Sequence, residues 1–457
     1  MRPERTLSDS ASVRLRRDIM KGEQLFASAQ KHLIGGGGAG GRYHPLLKRP
    51  LYLSRGKGAR FWDVDGKEYI DFFTGSGANF LGHDHPAIAA AIRQALEIGV
   101  ICNGETEYHS RLADLVAEAV PCAEKIRFAN SGTEATLGAI RIARGYAKKT
   151  KILKFEGHFH GMHELVWYNC ATPPGEVRAD GTIASVPDTD GMPAAFADLV
   201  VVVPFNDPDA FERAIAAHGK DLAAVIVEPI SYNQGCIPAR PEFLRLVRDT
   251  CTRQGIVLIF DEVLSGFRMC RGGAQEYFGV TPDLCTLAKA LGGGVPIAAV
   301  CGKTDVMSVL NPTGRTVMSG TYTGHLIAVM GAIACQTEIA KPDFYPHING
   351  LAERLYSGIA EALRVTGVPG LVQGIGARFG IYLGVTEPVT DYRHAAQTDR
   401  QMEVKFILGC VKRGLYIHDY GHTMHHGFSA QHTQADIDQA LGIIEDALRD
   451  ISRGERA

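Results

Sequence analysis

Between residues 51 and 73 apolar and polar positions alternate (LYLSRGKGARFWDVDGKEYIDFF), with Asp65 and Gly66 punctuating the run. A period of two broken by an Asp-Gly turn predicts short antiparallel hairpins. From about residue 84 the period changes. Helical stretches of about 12 to 18 residues alternate with short, uninterrupted apolar runs: IRFA from 126, KILKF from 151, LVVVV from 199, AAVIV from 223 and IVLIF from 256. Strands that are apolar on both faces belong to a sheet covered on both sides, so this region predicts a mainly parallel sheet between helices. After about residue 345 the pattern is mixed again and ends in the helical ADIDQALGIIEDALRDI. The predicted architecture is α/β. A large domain spans residues 80–344, and the terminal segments 1–79 and 345–457 pack together as a smaller α+β domain. The glycine tract GGGGAGG at 35–41 reads as a loop.

Composition narrows the classes of function. Across 457 residues, 48 Lys and Arg stand against 50 Asp and Glu, a net charge of −2, which argues against nucleic acid as a partner. No apolar run approaches the roughly 20 residues of a membrane span. The ten cysteines are scattered with no CxxC pair, as expected of reduced thiols in a cytoplasmic protein. The N-terminus is rich in Arg and Ser like a transit peptide. It also carries Glu4, Asp9, Asp18 and Glu23 and lacks an apolar stretch, so it reads as an ordinary amphipathic start.

In open α/β sheets ligands sit beyond the carboxyl ends of the strands. Asp261 and Glu262 follow IVLIF, Glu228 follows AAVIV, and Asn130, Ser131, Gly132 and Thr133 follow IRFA. Any one acid there could be a helix cap or a solvated turn; three strand ends together point to a site. Ser131 opens a helix whose free N–H groups suit a phosphate, and with Glu134 it also spells a capping box. Lys289 is the only charged residue between Asp283 and Lys303. Burial lowers the pKa of such an amine and leaves a neutral nucleophile for carbonyls; the alternative is a lysine that snorkels to solvent. An amine, a phosphate cradle and a carboxylate at a strand end are together what pyridoxal 5'-phosphate needs. Two other motifs lead elsewhere. GKT at 302–304 lacks the first glycine of a P-loop, since Ile297 stands there. The histidine-rich HFHGMH at 158–163 and HDYGHTMHH at 418–426 have no zinc-site spacing, so no metal is expected.

The motifs RFANSGTEAT, KFEGHFHG, VIVEP, LIFDEVLSGFR, PDLCTLAKALGGG and SGTYTG occur in an order that resembles the class III, fold type I pyridoxal-phosphate aminotransferases. Within them the chain is most similar to the branch containing glutamate-1-semialdehyde aminomutase, from about residue 30 to about residue 450. The resemblance implies that Lys289 bonds to the cofactor aldehyde and later shuttles the substrate proton, while Asp261 pairs with the pyridine nitrogen. It also implies that Ser131, Gly132 and Thr133 bind the phosphate, that Phe159 stacks on the ring with His160 following it, and that Val263 packs on the opposite face. Asn233 would lie near the phenolic oxygen, with Glu228 opening the same loop. Thr321 would reach the cofactor of a neighbouring subunit, which implies a homodimer.

Several departures bear on activity. An ungapped register from GFSAQH puts Met424 where the mutases carry a gating Glu, and Ser76 falls where they have a bulky Trp. GHLIA at 324–328 replaces their GNPIA. Arg42 aligns with a carboxylate-binding residue, although an Arg on a glycine loop could equally be solvated. The expected activity is therefore transamination between a small amino donor and a keto acid or aldehyde. The alternative is an isomerase of the aminomutase or racemase type. A regulator that merely senses the cofactor would be expected to carry a basic or helix-turn-helix extension, and the sequence pattern predicts none.

Overall fold

The computed structural model describes residues 22–420 and 425–454. Met424 and the N-terminal stretch through residue 21 lie outside the described residues. Seven strands form the central sheet: β1 Lys125–Ala129, β2 Lys151–Phe155, β3 Val200–Val203, β4 Leu222–Val227, β5 Val257–Glu262, β6 Leu284–Leu287 and β7 Ala298–Gly302, in the order β1-β7-β6-β5-β4-β2-β3. The five apolar runs of the sequence are β1 to β5. β5 is parallel to β4 and β6, and β2 is parallel to β3 and β4, whereas β7 runs antiparallel to both β6 and β1. The reason is length: only residues 288–297 separate β6 from β7, and a parallel neighbour needs a crossover of a dozen residues or more.

Alternate strand residues face opposite sides of the sheet. Leu258 and Phe260 join one hydrophobic cluster, and Val257 and Ile259 join the other. Both faces are therefore buried, which is why the strands lack polar alternation. Helix α1, Gly132–Ala147, crosses one face and buries Ala135, Ala139, Ile140, Ile142 and Ala143.

The predicted hairpins form strands Leu53–Lys57, Arg60–Asp63 and Glu68–Asp71, with Gly66 at φ +88° in the turn. A segment from the far end of the chain, Leu415–Tyr416, pairs in parallel with Glu68–Asp71 and ties the two terminal regions together. The glycine tract makes two short 3-10 turns, Ile34–Gly36 and Gly40–Arg42. A three-stranded sheet of Gly370–Ile375, Arg378–Leu383 and His426–Gly427 packs with the last helices, of which Gln434–Ser452 closes the chain. Among the described residues no helix is long and apolar enough to cross a membrane.

Candidate active site

The carboxyl ends of β1, β2, β4, β5 and β6 open onto one cavity of about 310 Å3. Ten of the thirteen residues singled out from the sequence line it: Ser131, Gly132 and Thr133 after β1; Phe159 and His160 after β2; Glu228 and Asn233 after β4; Asp261 and Val263 at β5; and Lys289 after β6. Thr321 is exposed and lines no cavity with them. Arg42 is also exposed, on a separate cleft that includes Gly75, Asn79 and His83. Ser76 faces a second cavity, of about 350 Å3, which meets the first at Phe159, Asn233 and Lys289.

Asp261 is almost fully buried and well held. Its Oδ1 accepts from the Thr286 hydroxyl at 3.0 Å and the Val263 amide at 3.1 Å, and its Oδ2 accepts from His160 Nδ1 at 2.8 Å. Thr286 lies beside Asp261 in the β5–β6 register. The sequence does not reveal that position, because LCTL is too short an apolar run to stand out as a strand. Burial lowers the His160 pKa even though Asp261 pulls it upward. Its Nε2 is buried without a partner among the described residues.

Glu228 sits at the end of β4. Its carboxylate accepts from the Phe159 amide at 2.7 Å and the Asn233 side chain at 2.9 Å, while its own amide donates to His158 Nδ1 at 3.1 Å. Burial, with Asp261 nearby, pushes its pKa up to about 8. Burial pulls Lys289 down to about 8, against the attraction of Asp261 and with Arg378 and Arg268 adding to the fall. Lys289 adopts φ +43°, a left-handed conformation that a residue with a Cβ rarely adopts.

Ser131 caps α1 by accepting from the Glu134 amide at 3.3 Å. The reciprocal half of the expected capping box is displaced by one residue, because Glu134 reaches the Asn130 amide at 2.8 Å instead. The first N–H groups of α1 then open toward the cavity with the positive end of the helix dipole behind them. Gly132 packs closely here: a Cβ would stand 3.0 Å from the Val263 methyls, which would have to shift by a few tenths of an ångström. Behind the turn, Thr136 Oγ1 donates to the His160 carbonyl at 2.6 Å, tying α1 to the segment after β2.

Several of the described histidines in these motifs hydrogen-bond to their neighbours. His158, His160 and His163 support Glu228, Asp261 and Thr136 respectively, and His425 bonds to Arg378. The histidine of GHLIA has a local task as well: His325 caps helix Leu326–Ile339 by accepting from the Ile327 amide at 3.2 Å.

A free amine on a strained turn, a carboxylate held on three sides and an open helix start fit pyridoxal phosphate, whose aldehyde, ring nitrogen and phosphate they complement. The profile of the class-III aminotransferases matches residues 43–448. The chain is 37% identical over 423 residues to a glutamate-1-semialdehyde 2,1-aminomutase of Thermodesulfovibrio yellowstonii, covering 92% of this chain and 97% of that protein. It is 36% identical over 434 residues to glutamate-1-semialdehyde 2,1-aminomutase 2 of Brevibacillus brevis, covering 94% and 98%. Among solved structures, an omega-transaminase from Sphaerobacter thermophilus superposes with a TM-score of 0.89 at 35% identity, covering 96% of this chain and 99% of that one. The chain therefore belongs to the class-III aminotransferase family, as an enzyme of the fold type I scaffold whose cofactor is pyridoxal 5'-phosphate.

Proposed function

We propose that this enzyme transaminates, moving an amino group between an amine or amino acid and a keto acid or aldehyde in two half-reactions through Lys289. The observation that carries this reading is that the cavity holding Asp261 and Glu228 joins, at Lys289, a second cavity of about 350 Å3 with Ser76 on its wall. A small residue there leaves room for a side chain to enter and a keto product to leave. Bound pyridoxal phosphate supplies an aldehyde and an electron-withdrawing ring. Around it, Ser131, Gly132 and Thr133 would hold the phosphate, Phe159 and Val263 would hold the ring plane, and Asn233 would lie near the phenolic oxygen. Asp261, steadied by His160, keeps a proton on the nitrogen it faces. Lys289 would hold the cofactor aldehyde and, once released by the incoming amine as a neutral amine, would take the proton from the substrate carbon and return it elsewhere. We assign Thr321 to the neighbouring subunit's site, so that the working unit is a homodimer.

The second reading, an aminomutase, is favoured by the names of the 36–37% identical relatives. A half-reaction separates the two. Transamination predicts loss of the aldehyde-form absorbance with an amino donor and one equivalent of keto product; isomerisation of a single substrate with no acceptor overturns the proposal. Lys289→Ala is expected to abolish turnover while retaining the cofactor noncovalently. Borohydride reduction and peptide mapping should find the adduct at Lys289.

A further inference from the structure

Ser76, Tyr420 and His425 form one contiguous part of the second cavity's lining. Ser76 Oγ and Tyr420 Oη share a hydrogen bond of 2.8 Å, and the Tyr420 ring stacks on His425 with centroids 4.6 Å apart and planes 15° apart. Behind His425 lies Arg378, fully buried on strand Arg378–Leu383. Its Nη2 donates to His425 Nδ1 and, at 3.4 Å, to the His425 carbonyl. A guanidinium cannot accept, so Nδ1 must offer its lone pair. The ring proton is thereby fixed on Nε2, on a side chain that lines the second cavity.

The field at this wall is positive. Arg268 and Arg378 converge on Gly77, where a Cβ would lie 3.0 and 3.2 Å from their guanidinium nitrogens. Neither forms an ion pair among the described residues. Arg268 is held by the Leu264 and Gly77 carbonyls. Asp71, the carboxylate that acts on Arg378, is already engaged by His83 and the amides of Phe73 and Thr74. Of the charged and titratable groups around His425, Arg378, His426, Lys289 and His418 all favour its neutral form, in the same direction as its burial. Two buried cations without counter-ions and a row of oriented neutral donors are complementary to an anionic oxygen.

We propose that His425, its tautomer fixed by Arg378, donates Nε2–H to the carboxylate of the substrate, so that this cavity selects amino acids and keto acids over plain amines. The inference rests on the transamination reading for its turnover arm only.

The test compares holoenzyme variants with substrates that differ by one carboxylate. Phenylglycine and benzylamine serve as donors in single half-reactions, and phenylacetate, succinate and butyrate as non-reacting ligands followed by calorimetry. In His425→Ala, the ratio of half-reaction rates, phenylglycine over benzylamine, is expected to fall roughly tenfold, with a similar loss in affinity for whichever carboxylate binds the unaltered enzyme. His425→Gln, which keeps an N–H donor, should recover most of both. Arg378→Met, which leaves the imidazole but frees its tautomer, should lower the same ratio. Equal losses for both donors, an unchanged ratio in His425→Ala, or no binding of any of the three carboxylates to the unaltered enzyme would overturn the proposal. If the enzyme isomerises rather than transaminates, the calorimetric comparison still reads out His425, so the two readings fail separately.

Discussion

Glu228 and Lys289 line one cavity and are pushed toward their neutral forms by the same burial. For Glu228 this has a consequence measurable without turnover. With its folded pKa near 8 against an ordinary value of 4.5, the native protein binds a proton that the unfolded chain releases between those limits. The stabilisation from this group is complete below about pH 4.5 and is lost as pH rises through about 8. Glu228→Gln should therefore flatten that part of the stability profile, as read by urea unfolding of the apoenzyme at several pH values. At this scale the sequence was informative where one residue stood out from its surroundings, as Lys289 does in an apolar stretch. It was uninformative where a role comes from a neighbour far along the chain. Tyr420 and His425 lie in a histidine-rich motif that suggests nothing beyond a metal site, and Arg378 and Thr286 attract no notice until the fold sets them beside His425 and Asp261.

The elements that deliver these side chains are strand ends joined by tight turns, and one turn has no room to spare. Gly161, at φ +105°, follows His160 after β2, and a Cβ there would stand 2.8 Å from Thr133 Oγ1 and 2.9 Å from Thr133 Cα. Gly161→Ala is expected to cost about 1–3 kcal/mol through strain and to displace the start of α1. Both a lower Tm and weaker cofactor retention in a fluorescence titration would follow. Strand positions were legible because a buried sheet writes them as continuous apolar runs; β2 falls on the predicted residues. Direction was not legible from the runs, since an antiparallel strand buried on both faces looks the same. The short connection from β6 to β7 holds that information, but it is readable only where the bounds of both strands are known.

For the whole molecule, the sites unaccounted for within one chain are informative. Thr321 and Tyr322 are exposed, Tyr322 by 64%, and Val317 nearby by 53%. If this segment completes a neighbouring subunit's site, Thr321→Ala should weaken cofactor binding roughly tenfold with little change in the unfolding of the separated chain. Mixing Thr321→Ala with Lys289→Ala should then assemble hybrid dimers in which one site keeps both residues, so activity returns on mixing; sedimentation checks that the hybrids form.

The pairing of Leu415–Tyr416 with Glu68–Asp71, through the Gly414 and Tyr416 carbonyls and the Ile70 and Phe72 amides, also sets a timetable. A strand made early in translation waits for a partner made almost last, so its edge stays open to other chains for most of synthesis. A ribosome stalled before residue 415 would release a polypeptide with its large sheet complete and an unfilled hydrogen-bonding edge near its beginning, a species made for chaperone capture or for association with its own kind.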